Sequence, residues 1–330
     1  DDVMWGCVSQ HSEQAGNIAR TAVLAAGWPT TVPGTTVTRA CGSSQQALAM
    51  AAAAVISGQL DVVVAGGVES MSRVPMGTAA PNGESQPATV LDRFGVDRFS
   101  QGIGAEEVAR RWGLSRTQLD EYALRSHELA AAATDSGAFD AQLATLPGVL
   151  EGDEGIRRGG SLESLGKLRT VFDENGVIHA GNASQISDGA GALLVMSSET
   201  AAANGLVPLV RIHTTVVAGD DPVVMLTGPI PATAKVLARS GLSIDEIGAF
   251  EVNEAFAPVP LAWQIDTGAS EKALNPLGGA IAVGHPLGGS GAILATRLAH
   301  HMHDNGIRYG LQTMCEAGGM ANATIFELIG

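Results

Sequence analysis

Thr36-Val37-Thr38-Arg39-Ala40-Cys41-Gly42-Ser43-Ser44-Gln45-Gln46-Ala47-Leu48-Ala49-Met50 is the stretch on which the reading of the fold turns. A β-branched run ends at Cys41. Small and polar residues follow, and then an Ala-rich segment reaches Ile56. The order predicts a strand, a tight turn and a helix, with a thiol at the helix mouth. Free N–H groups and the positive end of the dipole gather there, so a cysteine is favoured as its nucleophilic thiolate. The segment alone also suits a small buried thiol of no chemical consequence.

Working outward, the chain of 330 residues is long enough for two or three domains. Abundant Gly and Ala with few aromatics suit closely packed α/β layers. The formal net charge of −15 argues against a broad nucleic-acid surface, and an anionic ligand would need a local basic pocket. Cys7, Cys41 and Cys315 are odd in number and widely spaced, which gives neither a disulfide framework nor a zinc pattern. A reducing, cytoplasmic setting is the expectation. No apolar run is long enough to span a bilayer. The opening Asp1-Asp2-Val3-Met4-Trp5 lacks an initiating Met, which points to upstream residues cut away or left out.

Residues 3–9 read as a strand and 16–26 as a helix stopped by Gly27 and Pro29. Residues 61–65 read as a strand buried on both faces, running into Gly66-Gly67, where the glycines serve a close approach or a turn. From Arg73 to about Gly181 the texture turns polar and Gly/Pro-rich. Helical spacing appears only at 105–112 and 116–136. Within this insert, residues 156–169 concentrate positive charge, either as a solvated loop or as a patch facing phosphate. A dense turn at 180–190 precedes a strand at 192–196. A second alternating region begins near Leu206, with a helix at 232–240, a strand at 249–252 and a helix through Trp263. A strand-like run then meets His285, a Gly-rich turn and a helix to about His303. Tyr309 opens a further strand ending at Cys315 and Gly318-Gly319. Both halves thus run reactive residue, helix, strand, glycine turn, the mark of an internal duplication.

Cys41, His285 and Cys315 fall at or near strand ends and Asn253 just beyond one. In open α/β sheets that is where sites form. A thiol nucleophile needs a base, which His285 can be; a second thiol can carry a proton; Asn and His donors can hold an oxyanion. Singly, each has a plain structural alternative. Cys7 lacks such a context and reads as structural, and His300, His301 and His303 read as surface histidines rather than a metal site.

Four blocks, Arg39 to Ala47, Val252 to Phe256, Asn275 to Pro286 and Met314 to Gly319, closely resemble the signature blocks of thiolases. Gly66 to Met71 and Ala180 to Gly189 resemble further family blocks, so the resemblance runs along the whole chain in order. Met225 to Thr233 is similar to degradative 3-ketoacyl-CoA thiolases, including those acting on steroid-derived chains. The resemblance implies two duplicated βαβαβαββ core domains in a layered αβαβα arrangement. The first would comprise 1–72 and 182–203, with a loop domain at 73–181 and a second core at 204–330. It implies that Cys41 carries the acyl group, His285 activates it, and Cys315 is the second acid/base. Asn253 would orient a water that shares one oxyanion hole with His285, and backbone N–H groups of Cys41 and Ala317 would form the other. Arg157, Ser164 and Ser184 fall where relatives hold coenzyme A, and Phe256 lines the pantetheine tunnel.

Two departures accompany the resemblance. The family has one more strand and helix before Val3, without which the first sheet has an open edge, and it usually has Gly where Ala317 stands. The expectation is a ping-pong acyltransferase that cleaves 3-ketoacyl-CoA to acetyl-CoA and a shortened acyl-CoA, or runs the reverse Claisen condensation. Coenzyme A is a substrate, with no permanent cofactor and no metal. The partners are acyl-CoA and a second or further copies of the chain as homodimer or homotetramer, with neither nucleic acid nor membrane. The alternatives are another condensing enzyme of the superfamily, or a non-catalytic acyl-CoA-binding protein.

Overall fold

Two four-stranded sheets frame the chain in the computed structural model, which describes residues 1–80 and 85–329. The first part supplies β1 (Asp2–Gly6), α1 (Ile18–Ala25), β2 (Thr35–Val37), α2 (Ser43–Ile56) and β3 (Val62–Ser70). The insert holds α3 (Ala88–Phe94), α4 (Gln101–Arg111), α5 (Arg116–Asp135) and α6 (Leu162–Gly166). After it, β4 (Asp188–Met196) returns to the first sheet and α7 (Ser198–Ala203) follows. The second part supplies β5 (Val210–Gly219), α8 (Pro229–Ser240), β6 (Ala249–Val252), α9 (Pro258–Thr267), α10 (Ala280–Val283), α11 (Ser290–Asn305), β7 (Tyr309–Glu316) and β8 (Met320–Leu328).

The first sheet has the order β2-β1-β3-β4, and the second β5-β8-β7-β6. In the first, β1 and β3 are parallel and β3 and β4 antiparallel. In the second, β6 and β7 are parallel and β7 and β8 antiparallel. The same frame therefore occurs twice. Helices α2 and α11 lie side by side between the sheets, while α1 covers the outer face of the first sheet and α8 that of the second. This is an αβαβα stack. Small residues permit the central layer: Ala47, Ala51, Ala292 and Ala295 are fully buried, and Gly291 packs directly on the backbone of Gln45. Gln45 crosses to the second sheet, donating to the Gln312 carbonyl (3.2 Å) and Thr324 Oγ1 (3.0 Å).

Several elements depart from the sequence reading. The run before His285 is the short helix α10 and not a strand. A buried apolar run of this length has no periodicity to distinguish the two, and here polar groups hold the turn. Glu254 accepts from Ile281 N–H (3.1 Å), and Gln185 Nε2 caps the Ile281 and Ala282 carbonyls at 2.9 and 3.0 Å. The strand before Cys41 is only the three residues of β2. Helix α4 begins at Gln101, four residues early, because Ser100 caps it, accepting from Ile103 N–H. Strand β3 continues through Gly66-Gly67, so those glycines serve close approach: a Cβ on Gly67 would lie 2.8 Å from the Gly6 carbonyl oxygen. Burial along β3 alternates, with Val62, Val64 and Val68 only half-buried. Strand β4 starts at Asp188, inside the stretch read as a turn. Among the described residues, β4 is an edge of the first sheet, and no helix is long and apolar enough to cross a membrane.

Candidate active site

Cys41 stands at a tight elbow before α2. Ala40 adopts a left-handed φ of 43°, a conformation that costs an L-residue about 1–2 kcal/mol. Ser43 holds the elbow. Its hydroxyl donates to the Ala40 carbonyl (2.6 Å) and accepts from Arg39 N–H (2.9 Å), and its own N–H also reaches Ala40 O (3.1 Å). The second half meets this elbow through the Gly-rich turn after His285. Ala292 N–H donates to Ser44 Oγ (2.9 Å), and Cys41 packs with Leu287, Leu294 and Met314. Cys315, one residue on from Met314 near the end of β7, is close enough for the Cys41 charge to bear on it.

His285 is buried, and three contacts fix its ring and backbone. Its N–H donates to the Gln185 carbonyl (3.0 Å), Nδ1 lies 2.6 Å from Ser290 Oγ, and Nε2 lies 3.4 Å from Asn253 Nδ2. Ser290 spends its hydroxyl hydrogen on the Pro286 carbonyl (2.9 Å), so its lone pair faces Nδ1. Nδ1 therefore carries the hydrogen, and Nε2 is the bare, basic nitrogen on the Asn253 side. Asn253 is set at the end of β6 by its N–H to Thr313 O (3.0 Å), and its Oδ1 has no partner among the described residues.

Burial decides the protonation states. It pushes the Cys41 thiol up to about 12, with the Glu316 charge adding to the effect. The backbone N–H of Cys41 and the Gln101 side chain act the other way by hydrogen bonding to the sulfur. Burial also raises Cys315, and the Cys41 and Glu316 charges add to it. Burial lowers His285 to about 4. The thiolate expected from the helix mouth is thus overruled by desolvation, and the resting pair is a neutral thiol and a neutral imidazole.

Two buried carboxylates clamp the loops around this pair. Glu69 of β3 accepts from the N–H groups of Val8 (2.9 Å), Ser9 (3.0 Å) and Gly288 (2.9 Å), and from Gln14 Nε2 (2.8 Å). Glu254 accepts from Tyr122 OH (2.9 Å), Ser126 OH (2.6 Å) and Asn275 Nδ2 (3.0 Å), tying α5 to the turn that leads to His285. Cys7 lies against Glu69, and its pKa is raised to about 12, first by burial and then by that carboxylate.

Arg157 and Ser164 line one cavity with His127, Leu165, Leu168 and Gln185. Gln185 connects the cavity to His285, whose N–H its carbonyl accepts. Ser184 precedes Gln185 and donates its N–H to Ala255 O (3.0 Å). Phe256 pairs with Ala183 across a bridge and meets Phe172 edge-on at 6.0 Å. Neither Ser184 nor Phe256 lines that cavity. Ala317 follows β7, half-buried. The left-handed residues there are Gly318 and Gly319, so Ala317 bears no such strain. His303 is exposed beside Asp304 and His301 contacts Asn305. No group of three His, Cys, Asp or Glu side chains among the described residues is arranged to hold a metal ion.

Sequence reasoning missed Ser290, Gln101, His127 and Glu316. Ser290 stands five residues after His285, across a turn that is not helical, so no helical spacing marked it as a partner. Gln101 and His127 belong to the insert and have no local signal. Glu316 sat inside a recognised block without an assigned task.

Profiles of the thiolase N-terminal and C-terminal domains match residues 1–199 and 206–328. A steroid 3-ketoacyl-CoA thiolase FadA6 of Mycobacterium tuberculosis is 48% identical over 99% of this chain and 83% of its own length. The 3-ketoacyl-CoA thiolases of Pseudoalteromonas translucida and Photobacterium profundum are 44% and 43% identical, each over 100% of this chain and 87% of their own length.

Proposed function

The chain belongs to the thiolase family, and from that premise we propose that it is an acyltransferase cleaving 3-ketoacyl-CoA with coenzyme A through a thioester on Cys41. What carries the proposal is that Leu287, two residues on from His285, packs against Cys41, while Asn253 reaches His285 Nε2 and the Cys41 charge bears on Cys315.

In this reading the Cys41 thiol gives its proton to His285 Nε2 as the sulfur attacks the 3-keto carbon. The backbone N–H groups of Cys41 and Ala317 would face the oxygen that gains charge on the attacked carbon, and protonated His285 with a water oriented by Asn253 would face the thioester oxygen of the departing acetyl-CoA. The C2–C3 bond breaks, the acyl group stays on Cys41, and Cys315 protonates the departing acetyl-CoA carbanion. Coenzyme A then enters. The Cys315 thiolate takes its thiol proton, the new thiolate attacks the acyl carbon, and the shortened acyl-CoA leaves as Cys41 regains its proton from His285. The same steps reversed form a carbon–carbon bond. Burial suits this chemistry, since a neutral resting pair separates charge only when substrate supplies the electrophile.

Arg157 and Ser164 would hold the phosphate and pantetheine parts of coenzyme A, with Ser184 and Phe256 nearer the reacting end. His127 accepts Arg157 N–H on Nδ1 (3.1 Å), which leaves its Nε2–H for a ligand. We assign the chain to the cytoplasm and to a homodimer or homotetramer. A non-catalytic acyl-CoA-binding protein would have no use for two buried thiols and an oriented imidazole. Incubation with acetoacetyl-CoA and coenzyme A tests the reading: acetyl-CoA should form, and a brief quench should leave the acyl group on Cys41. A folded protein that forms no acetyl-CoA, or acyl label on Cys7 alone, refutes it.

A further inference from the structure

Glu316 follows Cys315 directly and is fully buried, yet neither of its carboxyl oxygens has a hydrogen-bond partner among the described residues. The carboxyl lies against Gly42, the residue after the Cys41 nucleophile. A Cβ on Gly42 would collide with Glu316 Oε1 and would lie 2.8 Å from Asn322 Oδ1. Asn322 Oδ1 also lacks a partner, and its Nδ2 is directed to Gln46 Oε1 (3.3 Å). Two oxygens that both accept therefore crowd one point beside the elbow. A carboxylate there would leave an unpaired charge against an unpaired acceptor, whereas a carboxylic acid has an O–H to offer.

We propose that Glu316 is a positioning residue for the acyl-transfer reaction: it is held as the neutral acid, its O–H directed to Asn322 Oδ1, so that the adjoining thiols alone carry the negative charge that the reaction moves. The groups facing it are few. Cys315 adjoins it on β7. Cys41 and the half-buried Arg39 face it from the elbow before α2, and the neutral Asn322 and Met320 lie beside it on β8. Arg39 Nε has no partner among the described residues, and Nη1 reaches Met320 Sδ at 4.0 Å. Arg39 opposes burial but does not outweigh it, and the Glu316 carboxyl is raised to about 8. Once ionised, it would disfavour a thiolate on either cysteine, because like charges at such range raise both.

The proposal rests on the thiolase reading for its purpose, but its test needs no thiolysis, so the two can fail separately. The rate of Cys41 alkylation by iodoacetamide is followed against pH in wild type and Glu316→Gln. The amide cannot ionise and can still donate to Asn322. The two profiles should coincide below about pH 7, where Glu316 is neutral in wild type, and separate above it, with the variant's alkylation at pH 9 faster by roughly tenfold, equivalent to one pKa unit; an equal offset at every pH overturns the proposal. Superimposed profiles from two folded proteins overturn the proposal, as does slower alkylation in the variant. If Glu316→Gln does not fold, infrared titration serves instead. Glu251, the other buried carboxyl raised to about 8, is removed as Glu251→Gln. The remaining protein should show one carboxylic-acid carbonyl band at about pH 7 that is lost as pH passes about 8, and the absence of that band at about pH 7 overturns the proposal.

Discussion

Ser290→Ala isolates the part of the site that sets the state of the base. The hydroxyl gives its hydrogen to Pro286 O at 2.9 Å and receives the His285 Nδ1 hydrogen at 2.6 Å. Deleting it leaves that N–H unpaired in a ring only 4% exposed. An orphaned buried donor costs about 1–3 kcal/mol. The cost falls on two states: the tautomer with Nε2 bare, and the imidazolium formed when Cys41 gives up its proton. If the loss appears wholly in the barrier, kcat falls roughly 5- to 150-fold. KM for coenzyme A should hardly move, because Ser290 does not line the Arg157 cavity. The assay is thiolysis of acetoacetyl-CoA across pH, with acylation of Cys41 timed by acid quench. Burial already lowers His285 to about 4, so wild type keeps a neutral base down to that region. The variant, having lost an acceptor that favours the imidazolium, should not show an acid limb at higher pH. The same shift bears on stability. The unfolded histidine binds a proton near 6.5 and the folded one does not, so this group's contribution is lost as pH falls from about 6.5 towards 4. A folded Ser290→Ala protein with kcat within about twofold of wild type would refute the tautomer argument. A rise in KM alone would place the serine in binding.

Cys41→Ala should form no acyl-enzyme, while Cys315→Ala should acylate slowly and turn over about 10²–10⁴-fold less, the usual worth of general acid–base help; quench mapping and steady-state rates separate the two. Arg157→Ala should raise KM for coenzyme A and leave pantetheine thioesters much less affected, and equal losses on both substrates would assign the arginine to structure. Ala317→Gly should change kcat by less than about threefold, because the left-handed turns fall at Gly318 and Gly319 and one backbone rotation adds little; a large loss in the folded variant would make the methyl group a substrate contact.

Legibility from sequence followed the range of the interactions. The elbow at Cys41, the paired order of strand and helix in the two halves, and the helix of α5 rest on local signals: β-branched runs, glycine stops and the Ser115 cap with Gln118. These were readable. Helix α10 was not, because its conformation is imposed by Gln185 and Glu254 from other parts of the chain. Gln101 was invisible for the same reason. It lies 60 residues from Cys41, and the packing of α4, where a Cβ on Gly104 would lie 2.5 Å from the Val224 carbonyl oxygen, brings the insert over the site. The thiol state was misjudged on a local argument: the helix terminus does favour a thiolate, but complete burial opposes it more strongly.

That last contest explains why the duplicated frame matters to the chemistry. Each half brings one reactive group to the mouth of a central helix, Cys41 before α2 and His285 before α11, and the two helices lie against each other between the sheets. A site formed there is buried between the two sheets. Burial makes a free thiolate costly, yet it strengthens every hydrogen bond that a charge can later find. In the proposed reaction the arrangement would keep the Cys41 thiol neutral until a thioester brings its own oxygen to the donors. It also gives each buried acid near the thiols a defined task. Glu69 is satisfied by four donors and serves as an anchor, whereas Glu316, with no donor to either oxygen among the described residues, keeps its proton up to about pH 8.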